Sequence, residues 1–160
     1  MKILKYFVLV AILVLAIASL AQADEVWIFS TTPDGPALGN SKTYFSSPGG
    51  VGLTATGFDS AGSGTALYEK FTTGDPVETG LGMVSGGTDH EVKRDYYIQF
   101  DVSALTAAGF TSLTLTVGSM QAGEGYAAFN DNTADTIPAI GTAVHTATGG
   151  NSDTFTYAIS

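Results

Sequence analysis

Cysteine is absent, and lysine and arginine together number only six against fifteen aspartates and glutamates. Without cysteine there is no disulfide framework, no thiol nucleophile and no thiolate-bound metal. The acidic excess, −9 over the whole chain, repels phosphate backbones and anionic lipid heads. It argues against nucleic acid and the membrane surface as partners. Catalytic signatures are missing too. There is no Gly-x-Ser-x-Gly elbow, no HExxH pair and no phosphate-cradling glycine loop leading into a helix. The two histidines, His90 and His145, have no second histidine at ligand spacing. The expectation is a protein that is not an enzyme.

What is present begins with a leader. Met1 to Lys5 carries two lysines, an apolar run extends from Tyr6 to Leu20, and Ala21-Gln22-Ala23 follows. A basic head, a hydrophobic stretch and a small-x-small site are the parts of a secretory signal. The run is shorter than the roughly 20 apolar residues a spanning helix needs, and Asp24-Glu25 follows at once. Residues 1–23 are therefore read as a signal peptide cleaved after Ala23. This predicts an exported protein of the periplasm, cell surface or medium, with no membrane attachment after cleavage. Removing Lys2 and Lys5 leaves four basic residues against fifteen acidic ones, a net charge of −11.

The remainder is rich in glycine, threonine, serine and aromatics, a composition that disfavours helix and favours short strands. Apolar and polar residues alternate at Leu53/Ala55 against Thr54/Thr56, and at Ile98/Phe100/Val102 against Tyr97/Gln99/Asp101. The same pattern recurs at Leu113/Leu115/Val117 against Thr114/Thr116, and at Phe155/Tyr157/Ile159 against Thr154/Thr156. Period-two alternation marks half-buried strands. Glycine clusters at Gly49-Gly50, Gly62-Ser63-Gly64, Gly86-Gly87 and Gly149-Gly150 punctuate them. One helical turn is predicted over Ser103 to Ala108, with Ser103 as its N-cap and Gly109 as its stop. The fold expectation is all-β: an antiparallel, jelly-roll-like β-sandwich over residues 51–160, with its last strand missing. Residues 24–50 precede it as an edge strand and irregular lead-in.

Two constellations stand out. Asp89, Glu91, Asp101 and Glu124 fall at predicted loop and strand ends. Calcium gathers six to eight hard oxygens from such carboxylates and from loop carbonyls, so these four are the candidate calcium ligands. The alternation also places Tyr97 and Gln99 on the solvent side of their strand. An outward aromatic beside an amide suits a sugar, whose ring stacks on an aromatic face. Most of the other aromatics are expected in the core.

From Ala66 onward the chain resembles exported bacterial proteins of the PEP-CTERM type. The resemblance lies in Leu67-Tyr68-Glu69-Lys70-Phe71, Glu78-Thr79-Gly80-Leu81-Gly82-Met83 and Asp89-His90-Glu91-Val92. It continues in Tyr97-Ile98-Gln99-Phe100-Asp101-Val102-Ser103-Ala104-Leu105, Phe110-Thr111-Ser112-Leu113-Thr114-Leu115 and Gly118-Ser119-Met120-Gln121-Ala122-Gly123-Glu124-Gly125-Tyr126. The resemblance implies an exported sandwich domain in bacteria that secrete polysaccharide. It departs from that family in lacking the terminal Pro-Glu-Pro motif, apolar helix and basic tail, so sorting to the surface by that route is not expected. The functional expectation is a non-catalytic domain of extracellular-matrix or cell-surface interactions, stabilised by calcium. The alternative is a carbohydrate-binding module for extracellular polysaccharide.

Overall fold

The structure, a computed structural model, describes residues 24–30, 37–71, 79–118, 120–130 and 143–159, without the side chains of residues 88 and 89. The expected signal peptide lies outside the described residues. The protein is all-β and antiparallel. Its described strands are β1 (Ser41–Phe45), β2 (Gly52–Phe58), β3 (Leu67–Phe71), β4 (Thr79–Met83), β5 (Tyr97–Asp101), β6 (Ser112–Gly118), β7 (Gly125–Ala128), β8 (His145–Thr148) and β9 (Ser152–Ala158). They form a three-stranded sheet ordered β1-β2-β5 and three pairs, β3-β4, β6-β9 and β7-β8. The sheets are small and do not close on one another.

Alternation sets which face each strand buries. On β2, Leu53 and Ala55 are completely buried while Thr54 and Thr56 lie on the other side. One apolar cluster joins Leu53 to Leu105, Leu113 and Ile159, with Phe100, Leu115 and Tyr157 packed against it. A second joins Tyr44, Ala55 and Leu67, with Leu81 and Ile98. The inner face of β1-β2-β5 therefore meets β6-β9 through one cluster and β3-β4 through the other.

The stretch 24–50 is part of this core. Trp27 and Phe29 pack against both clusters. The Trp27 indole N–H donates to the Val51 carbonyl at 2.8 Å, which satisfies the only polar atom of that side chain. Backbone bonds between Val26 and Ser47 tie the segment alongside β1, itself an outer strand of its sheet.

The predicted helical turn is α1 (Ser103–Ala107), shifted slightly from expectation. Ser103 is its first residue and makes no side-chain cap; Asp101 Oδ1 accepts the Ser103 N–H at 2.9 Å instead. A carboxylate two residues ahead competes well for that amide, the usual Asx arrangement. Leu105 is the one residue of α1 that is buried, and it anchors the turn in the first cluster. Gly109 ends it with φ of 88°, a conformation that costs glycine nothing.

Candidate functional site

The strand register assembles one polar surface. Cross-strand partners on one side of the three-stranded sheet are Phe45 with Gly52, Thr43 with Thr54 and Asp101, and Ser41 with Thr56 and Gln99. Directly opposed residues of an antiparallel pair point the same way, so these side chains share the outer face. Phe58 and Tyr97 continue it at one end. The hydroxyls interlock: Thr43 Oγ1 lies 2.8 Å from Thr54 Oγ1, and Ser41 Oγ lies 3.1 Å from Thr56 Oγ1.

Phe45 stands out on this face. Its side is set by parity, since Tyr44 and Lys42 turn inward, and it remains 70% exposed. A Cβ at Gly52 would lie 3.7 Å from Phe45 Cε1 and 3.4 Å from Thr43 Cγ2. The phenyl ring thus leans over the glycine, where no side chain competes for the space. Val26 and Ile28, both exposed, alternate outward from the buried-side Trp27 and Phe29. The result is an apolar edge with an open ring beside a hydroxyl-rich sheet. Phe45 belongs to no motif in the sequence. The signal available was the alternation Ser41, Thr43, Phe45 against Lys42, Tyr44.

The expected ligand residues Tyr97 and Gln99 do lie on this face with Asp101. One side of the Tyr97 ring is taken by Phe58, which stacks on it at 4.9 Å and 13°. Its phenol oxygen is shielded from solvent. Phe45 is therefore the more open stacking surface.

Of the four expected calcium ligands, the side chains of Glu91, Asp101 and Glu124 are described and that of Asp89 is not. Among the described residues, no three histidine, aspartate or glutamate side chains form a group that could hold a metal. Asp101 is exposed at the end of β5. Hydrogen bonds from Ser103 hold its carboxyl below the usual range, against a smaller desolvation effect. Glu124 Oε2 accepts the Gln121 N–H at 2.6 Å and so closes its own turn. Glu91 lies in the loop after the 3₁₀ turn Val84–Asp89, and the Asp89 side chain is outside the described residues. His90, the nearest nitrogen donor in sequence, stacks on Tyr68 at 3.6 Å and 17°. A carboxylate next to a backbone amide binds it at little entropic cost, as Asp101 and Glu124 do here.

No family model, curated protein or solved structure matches this chain.

Proposed function

We propose that the protein is a non-catalytic exported domain of extracellular-matrix or cell-surface interactions, and that it engages neutral saccharide through the outer face of β1-β2-β5. The observation that carries this reading is the exposed Phe45 ring, leaning over Gly52 beside the hydrogen-bonded Thr43 and Thr54. Sugars present C–H patches to aromatic faces and hydroxyls to polar rims, and this face offers both. Among its side chains from β1, β2 and β5 the only charge is the Asp101 carboxylate, which disfavours anionic polysaccharide. Export is supported by the leader pattern ahead of Asp24.

The test is retention on an insoluble neutral polysaccharide, comparing wild type with Phe45→Ala and Tyr97→Ala. Loss of at least fivefold in Phe45→Ala, with a smaller loss in Tyr97→Ala, is expected. Equal retention of wild type and Phe45→Ala, or no retention of wild type on any neutral glycan, overturns the assignment. Mass analysis of exported protein should show Asp24 as the first residue; an intact Met1 overturns the export reading.

A further inference from the structure

Three donor atoms meet where the β7-β8 pair leans on β9. Tyr126 Oη donates to Asp153 Oδ2 at 2.6 Å. His145 Nε2 lies 2.6 Å from the same oxygen. The three side chains come from three strands in two sheets, so strand pairing determines their positions. Tyr126 faces Ala147 and His145 faces Ala128 within one pair, while Asp153 is opposite Val117 in the other. The rings are held as well. His145 stacks on Phe155 at 4.6 Å and 7°, and Tyr126 tilts against both at 5.9 Å. The His145 and Asp153 side chains keep 32% and 30% exposure, which leaves the cluster open to solvent on one side.

We propose that Tyr126, His145 and Asp153 form a binding site for ferric iron. A transition-metal ion holds oxygen and nitrogen donors at about 2.0–2.2 Å, so neighbouring donors sit roughly 3 Å apart. The two hydrogen-bonded edges here already approach that separation, and the cation takes the place of the bridging protons. A phenolate and a carboxylate are hard anionic donors that offset the charge of a trivalent ion. The imidazole departs from the all-oxygen shells of calcium and magnesium and suits iron. Solvent supplies the remaining ligands through the open side.

The donor set selects the metal. A phenol becomes a ligand only as the phenolate, and a strongly Lewis-acidic ion such as ferric iron displaces its proton where a weakly Lewis-acidic one does not. Binding forms an iron–phenolate bond and an iron–Nε2 bond; the phenol proton goes to water, the proton on His145 Nε2 leaves to water or is exchanged for one on Nδ1, and no electron is transferred. Affinity therefore rises with pH.

Titration of the processed full chain with ferric nitrilotriacetate tests the site. The expected result is a visible phenolate-to-iron charge-transfer band that saturates at one iron per chain. Tyr126→Phe keeps the ring and its contacts and should remain colourless, with an unchanged far-ultraviolet circular dichroism spectrum. Asp153→Asn, the second variant, should bind at least tenfold more weakly. Absence of the band in wild type, an equal band in Tyr126→Phe, or binding of copper or zinc without the ferric band overturns the proposal.

Discussion

Lys42 Nζ lies 3.4 Å from Glu69 Oε2, linking β1 to β3 across 27 residues of sequence. Glu69 is almost wholly buried, while about a third of Lys42 reaches solvent. The ammonium also sits 4.9 Å over the Tyr44 ring. Burial raises the Tyr44 phenol above its usual range, and the Glu69 charge adds to the effect.

Removing the cation alone should therefore be costly. Lys42→Met is expected to destabilise by about 2 kcal/mol, less than the roughly 3–5 of a fully buried pair because Lys42 is partly hydrated. Lys42→Met combined with Glu69→Leu should recover most of that loss, since the desolvated carboxylate is gone as well. Urea midpoints of the three proteins check this. A double variant no more stable than Lys42→Met would contradict it.

The two faces of β1 and β2 should respond oppositely to truncation. Leu53 is completely buried in the first cluster, so Leu53→Ala should cost roughly 3–5 kcal/mol in transfer and cavity terms. Phe45→Ala, on the exposed face, should change stability by less than about 0.5 kcal/mol. Chemical denaturation distinguishes them. A large loss from Phe45→Ala would show that its ring is structural, and would undercut the polysaccharide test.

Asp153 gives the protein an acid-sensitive contact. Hydrogen bonds from Tyr126, then from His145, hold its carboxyl below the ordinary value. A carboxyl depressed in the folded state contributes stability above its unfolded value of about 3.9, and that contribution disappears as pH falls through the lower folded value. Wild type and Asp153→Asn should therefore differ most at pH 6 and converge below about pH 3. Denaturation midpoints across that range measure the convergence. A constant gap at all pH values would show that ionisation plays no part.

Asp101 is expected to act through α1. Asp101→Ala removes the acceptor for the Ser103 amide and should cost about 1 kcal/mol, as other cap deletions do. Asp101→Asn retains an acceptor oxygen and should lose a few tenths. Amide exchange at Ser103 should accelerate in the alanine variant. A thermal midpoint that depends on calcium in wild type and not in Asp101→Asn would instead restore this residue to a metal site.

Much of the architecture was legible in the sequence because alternation survives wherever inward residues are all apolar. Leu53/Ala55, Ile98/Phe100, Leu113/Leu115 and Tyr157/Ile159 all face the core as their period predicts. β3 was harder to read: its inward positions include Glu69, a charge that breaks the pattern and is tolerated with Lys42 beside it. β7 and β8 are four residues each, too short for a period to register. Gly82 lies within β4, at a position where the close His90 carbonyl leaves no room for a Cβ.

By itself the sequence determined the all-β character, the inward faces of the longer strands and the acidic charge, since each follows from local composition and period. Which distant side chains meet was decided only by tertiary structure. Asp101 and Glu124, expected as members of one site, each accept an amide of their own turn. Tyr126, His145 and Asp153 show no motif spacing, yet they converge on one oxygen. Local hydrogen bonds are set by a few neighbouring residues. Convergence depends on how two sheets pack, which no short stretch of chain encodes.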